Sequence, residues 1–153
     1  MKITDFLTVQ SVMPSLTSHD KNAVLEELAE ALAAHYHNLD RKKVLEVLRE
    51  RERISTTAIG EGVAIPHGKL PNVERVLGVF ARSLDGVEFA SLDGAPTHLF
   101  FVLIAPENAA ADHLKALARI SRLLKDDAFR RRLLAGKNRQ ELYTLIADED
   151  EKF

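Results

Sequence analysis

Chemistry in this 153-residue chain must come from its histidines, carboxylates and cations, because it contains no cysteine. Disulfides, thiolate nucleophiles and zinc–thiolate sites are thereby excluded. Of six histidines, His67 has the most constrained setting, between Pro66 and Gly68 in "GEGVAIPHGKLP", residues 60–71. Pro66 fixes its own φ and restricts Ile65, while Gly68 is expected to let the chain turn sharply beyond the imidazole. A neutral imidazole so held can serve as acid or base, as metal ligand or as covalent nucleophile. The glycines around it do not spell a nucleotide site. A dinucleotide fingerprint would need glycine where Ile65 stands, and five residues separate Gly62 from Gly68 where a P-loop has four.

Potential partners of His67 narrow the choice. His113 falls at or near the first turn of a helix beginning around residue 109, where the helix dipole disfavours imidazolium and free N–H groups attract an anion. Arg51, on a charged helix end upstream, offers a bidentate guanidinium. A metal is not expected, since His19, His35, His37 and His98 show no ligand spacing such as HExxH. His35 and His37, two residues apart near a helix end, cannot share one face. A serine hydrolase lacks its GxSxG elbow. Phosphoryl transfer suits the set, because there the protein positions reacting groups and neutralises charge on the equatorial oxygens.

Several elements must carry these side chains. "DKNAVLEELAEALAAHYHN", residues 20–38, sets Val24, Leu25, Leu28, Ala31 and Leu32 on one helical stripe, with Ser18 or Thr17 as N-cap. Asp40 caps a second helix, "RKKVLEVLRERE", which ends in charge. The apolar "VAI" delivers His67 to a strand end, where α/β sheets carry their chemistry. "VERVLGVFARS" and "THLFFVLIAP" read as central strands buried on both faces, with "VEF" at 87–89 a brief strand between two "LDG" turns. Three helices follow Pro106, the last with Asn138 as N-cap and Glu141 three residues on. The pattern predicts an α/β fold: a mixed β-sheet sandwiched between helices in one domain over residues 1–153, with about 148–153 a flexible acidic tail.

Composition bounds the partners. The chain is 46% hydrophobic and 29% charged, and 21 basic against 23 acidic residues give a net charge of -2. That balance offers no bulk attraction for nucleic acid, despite the run Arg130 to Arg132, or for an anionic membrane surface. The N-terminus lacks a signal-peptide core and the longest apolar run, "LFFVLIA" at 99–105, is too short to span a bilayer. A cytoplasmic location without membrane insertion is expected.

"EGVAIPHG", preceded by "RERISTTAIG", resembles the histidine phosphorylation motif of the fructose/mannitol-type enzyme IIA domains of the bacterial phosphoenolpyruvate-dependent phosphotransferase system. The match runs from Glu52 through Ile59, Gly60, Val63, Ala64 and Ile65 to Pro66, His67 and Gly68 without a departure, and the likeness extends over nearly the whole chain, including Arg51 and "DHLKALARIS" with His113. The resemblance implies that His67 is phosphorylated on Nε2, with His113 and Arg51 stabilising the phosphoryl group and no cofactor. It implies an α/β fold with a mixed sheet between helices. It implies as donor a phosphocarrier of the HPr type, itself charged through enzyme I from phosphoenolpyruvate. The chain, a IIA domain alone with "VAIPHGKLPNV", looks most like the nitrogen-related members, which regulate target proteins according to phosphorylation state. The alternatives are a fructose- or mannitol-specific subunit passing phosphate to an enzyme IIB, and a non-catalytic allosteric binding module. Around His67 an exposed apolar rim is expected from Ile65, Leu70 and Ala109 to Ala111.

Overall fold

A computed structural model describes residues 1–153. After single 3₁₀ turns at Ile3–Asp5 and Val9–Ser11, the chain runs β1 (Val12–Met13), α1 (Lys21–His35), α2 (Arg41–Ile54), β2 (Ala58–Gly60), β3 (Val63–Ala64), β4 (His67–Leu70), β5 (Leu77–Val87), β6 (Thr97–Pro106), α3 (Ala110–Leu124), α4 (Asp127–Ala135) and α5 (Arg139–Asp150). The sheet order is β1-β5-β6-β3-β2, with β4 also on β6. β5 and β6 are antiparallel, whereas β1 on β5 and β3 and β4 on β6 are parallel, which makes the sheet mixed.

Both long strands are buried on two faces, as their unbroken apolar runs predict. Val79, Ala81, Phe100, Val102 and Ile104 face a core shared with α1 and α2. Their alternates Phe80, Leu99, Phe101, Leu103 and Ala105 face a second core shared with α3, α4 and α5. The two cores are of nearly equal size, 23 and 20 buried residues, so the sheet is the middle layer.

Four local expectations are corrected. Asp20, not Ser18 or Thr17, caps α1 by accepting from Ala23 N–H at 2.9 Å; the backbone N–H groups of Thr17 and Ser18 donate to the Glu27 carboxylate instead. "VEF" is not a separate strand: β5 runs on past an irregularity between Arg82 and Val87, and Glu88 makes one bridge to Asp20. Gly86 (φ 87°) and Gly94 (φ 74°) do supply the turns.

The acidic C-terminus is not a free tail. α5 extends to Asp150, which is 1% exposed and accepts from Ile3 N–H at 2.7 Å and from Arg119 Nε at 2.5 Å. Glu149 is buried too and takes Arg132 at 2.9 Å. Charge composition alone reads as solvated, but here the two buried carboxylates, Glu149 and Asp150, are matched by cations or an N–H from other elements.

The fourth correction concerns Gly68. It has no positive φ and makes no turn. The register of β3 on β6, Val63↔Leu99, is resumed unshifted by β4, His67↔Leu103, so residues 63–70 form one parallel strand interrupted at Ile65 and Pro66. The hydrogen-less Pro66 nitrogen sits at that interruption, and its carbonyl still accepts from Leu103 N–H at 3.1 Å. Gly68 is small because α2 crosses there: a Cβ would lie 2.8 Å from Val47 Cγ2.

Candidate functional site

His67 is therefore the first residue of β4, a strand whose outer edge no other strand covers. Alternation along β4 sends His67 and Lys69 toward the side of α3 and Gly68 and Leu70 toward α2. α2 and α3 flank this edge and enclose a cleft of about 560 Å³ lined by Arg51, Ile54, His67, Lys69, His113 and Leu114, among others. Thus the three residues singled out from the sequence, His67, His113 and Arg51, come together.

The imidazole is fixed by one hydrogen bond. His67 Nδ1 lies 2.8 Å from the Ile65 carbonyl oxygen. A carbonyl only accepts, so Nδ1 carries the hydrogen and, in the neutral ring, Nε2 carries a free lone pair. Ile65 can set that geometry because its side chain is sunk in the α3-side core, 5% exposed, and its N–H is held by Thr57 O at 3.1 Å. Burial, helped by the positive charges of Arg51 and Lys69, pushes the His67 pKa below the usual histidine range; the Ile65 carbonyl and Glu52 oppose this.

His113 sits in the first turn of α3, as expected, and its ring meets that of His67 edge-on with centroids 5.2 Å apart. It is 5% exposed, and its Nε2 is buried without a hydrogen-bond partner. Burial first, then the charges of His67 and Lys69, lower its pKa to about 4. An orphaned polar nitrogen costs stability, of the order of 1–3 kcal/mol, unless a ligand meets it. The N-cap of α3 is Ala109, which has no side-chain acceptor for the first-turn N–H groups.

Arg51, in the last turn of α2, donates through one Nη to its own helix end at Ser55 O, 2.8 Å. That bond anchors one arm of the fork near the cleft. A sharp turn expected at Gly68 hides Lys69 from the sequence; because β4 continues through Gly68, Lys69 stands two residues after His67 on the same face. The rim expectation is corrected in part: Ile65 and Leu70 are core residues at 5% and 8% exposure, whereas Ala110 is exposed and lines the cleft as expected, and the large exposed apolar side chains of the rim are Ile54 at 81% and Leu114 at 67%.

The remaining candidates lie elsewhere. His35 Nε2 meets Thr8 Oγ1 at 2.9 Å and His98 Nδ1 donates to Ser83 O at 2.9 Å. Arg130, Arg131 and Arg132 are dispersed onto Asp127, Asp127 and Glu149. A second concavity of about 550 Å³, between Ile59, Ser121 and Arg130, contains no histidine, and Arg130 there is taken up by the carbonyls of Leu124 and Lys125.

Two histidines and an arginine thus converge at the open edge of a mixed sheet held between helix layers. Residues 5–149 match the family described as phosphoenolpyruvate-dependent sugar phosphotransferase system, EIIA 2, and the chain belongs to that family. Among relatives, it is 48% identical over 147 residues to the nitrogen regulatory protein of Bradyrhizobium diazoefficiens, covering 96% of this chain and 95% of that protein. It is 39% identical to the fructose-specific EIIABC component of Bacillus subtilis, covering 98% of this chain but 24% of that longer protein. The crystal structure of nitrogen regulatory protein IIA-Ntr from Neisseria meningitidis superposes with a TM-score of 0.88 at 30% identity, over 94% of this chain and 98% of that one. No helix is long and apolar enough to cross a membrane.

Proposed function

We propose that the chain is a histidine phosphocarrier of the nitrogen-related branch, accepting a phosphoryl group on Nε2 of His67. The observation that carries this is the Nδ1 bond of His67 to Ile65 O, which leaves Nε2 as the only free ring nitrogen, beside the unpartnered His113. In the transfer, the Nε2 lone pair attacks the phosphorus of a donor phosphohistidine. The donor P–N bond breaks as the Nε2–P bond forms, and the breaking pair returns to the donor imidazole. No proton need leave His67, because Nδ1 keeps its own.

Arg51 and Lys69 neutralise the phosphoryl oxygens, and His113 meets them from the α3 side. The donor of this reading is an HPr-type phosphocarrier charged through enzyme I from phosphoenolpyruvate. Ile54 and Leu114 give it an apolar rim of the small size that transient transfer needs. The whole chain acts as one cytoplasmic domain. The match to nearly the full length of the Bradyrhizobium protein supports regulation of target proteins as the output.

The likeness to the fructose-specific protein supports a second reading, transfer to an enzyme IIB for sugar uptake. One assay separates them. Phosphoenolpyruvate, enzyme I and an HPr-type phosphocarrier should label the chain with one acid-labile phosphoryl group, absent in His67→Ala. Added enzyme IIB should leave that label in place if the output is regulatory and drain it if the output is sugar uptake. Labelling that survives His67→Ala overturns the assignment.

A further inference from the structure

Glu52 stands one residue from Arg51 but points away from the cleft: it is 9% exposed, and its carboxylate lies among α1, α2 and the segment entering β2. A buried carboxylate is costly unless fully partnered, and this one is. Oε1 accepts from Lys21 Nζ at 2.9 Å and from Thr57 N–H at 3.0 Å, and Oε2 accepts from the Thr57 hydroxyl. Lys21 also lies 4.7 Å over the ring of Phe89, which fixes the cation from its other side.

From Glu52 an unbroken line of hydrogen bonds leads to the imidazole. The Thr57 N–H donates to Glu52; the Thr57 carbonyl accepts from Ile65 N–H at 3.1 Å; the Ile65 carbonyl accepts from His67 Nδ1–H at 2.8 Å. Each bond fixes the backbone of the next residue, so the anchored Thr57 sets where the Ile65 carbonyl meets Nδ1, while the Glu52 charge reaches the ring through space. We infer that Glu52 is a positioning residue for phosphoryl transfer, holding His67 in its Nδ1–H form by fixing Thr57 and, through Thr57, the Ile65 carbonyl that accepts from Nδ1. The same charge supports the phosphorylated ring, whose Nδ1–H becomes more acidic once Nε2 bonds to phosphorus. Because Glu52 also pins the last turn of α2, it fixes the base from which Arg51 reaches the cleft.

This rests on the phosphoacceptor reading of His67, and the test keeps the two separable. The charged and titratable groups around His67 are Arg51, Glu52 and Glu50 from α2, Lys69 from β4 and His113 from α3. The ¹⁵N resonances of His67 would be titrated in the unphosphorylated full chain for wild type, Glu52→Gln, Thr57→Val and Lys21→Met, alongside phosphorylation rates and thermal midpoints. Glu52→Gln should lower the midpoint of the His67 titration and slow phosphorylation at least about tenfold, the scale of a small misplacement of reacting groups. Lys21→Met, which leaves the carboxylate uncompensated, should move the titration the opposite way. Thr57→Val keeps the amide line and should cost stability without moving it.

If Glu52→Gln does not fold, Lys21→Met alone carries the sign. A His67 titration unchanged in every folded variant, with only the thermal midpoints displaced, overturns the inference. Absence of phosphorylation in wild type would sink the phosphoacceptor reading while leaving the titration to judge Glu52.

Discussion

The rings of His67 and His113 meet edge-on, with centroids 5.2 Å apart and planes at 77°, one from the edge strand and one from the first turn of α3. Two imidazoles this close, both held below the usual histidine pKa by burial, form a neutral pair at neutral pH. Neutrality keeps Nε2 of His67 nucleophilic. It also makes the site sensitive to acid.

For His113 the folded-state pKa is about 4 against an ordinary value of 6.5. Between those values the unfolded chain binds more protons, so stability is present above pH 6.5 and is lost as pH falls toward 4. The contribution of this one group is about 3 kcal/mol over that window. Urea unfolding at several pH values should show this loss in wild type and a flatter profile in His113→Leu. Equal slopes in the two proteins would count against the buried neutral state.

Phosphorylation should act on the same group in reverse. A phosphoryl dianion beside His113 favours imidazolium, so the His113 titration followed by NMR should move upward in the phosphoprotein. A titration unaltered by phosphorylation would place His113 out of reach of the phosphoryl group.

Gly68 was legible as important but for the wrong reason. The sequence pattern around Pro66 and Gly68 reads as a turn; the need for a bare Cα arises from Val47, twenty-one positions earlier, which pattern reading cannot bring near. Gly68→Ala should cost about 1–3 kcal/mol, because Val47 is β-branched and cannot swing aside, so α2 must shift. With α2 moves Arg51, and phosphorylation should slow as well. Adding Val47→Ala should recover part of both losses; a double variant no better than the single one refutes the contact.

Asp150 makes a similar point about charge. The run "DEDEK" looks solvated in one dimension, whereas the last turn of α5 brings Asp150 onto Arg119 and the Ile3 amide. Asp150→Ala should therefore cost about 3 kcal/mol in chemical unfolding, the range for removing one member of a buried pair. A solvated tail would show less than about 0.5 kcal/mol.

The sheet, its two buried strands and the helices Asp40 and Asn138 begin were readable because apolar runs and cap residues are local signals. His67, His113 and Arg51 were readable as candidates from residue type and setting. Most of the rim was not, because exposure of Ile54 and Leu114 and burial of Ile65 and Leu70 depend on which side of β4 each helix lies. Ile54→Asp or Leu114→Asp should raise the donor KM several-fold while leaving the thermal midpoint within a degree or two, since neither side chain is packed in a core. Unchanged donor kinetics in both would move the docking face elsewhere.

The most direct measurement is a ³¹P–¹⁵N correlation on the ¹⁵N-histidine-labelled chain after phosphorylation through enzyme I and an HPr-type phosphocarrier. A single phosphorus coupled to Nε2 of His67, with the His67 Nδ1 still protonated, is the predicted spectrum. Coupling to Nδ1 of His67, to His113 or to any other histidine contradicts it.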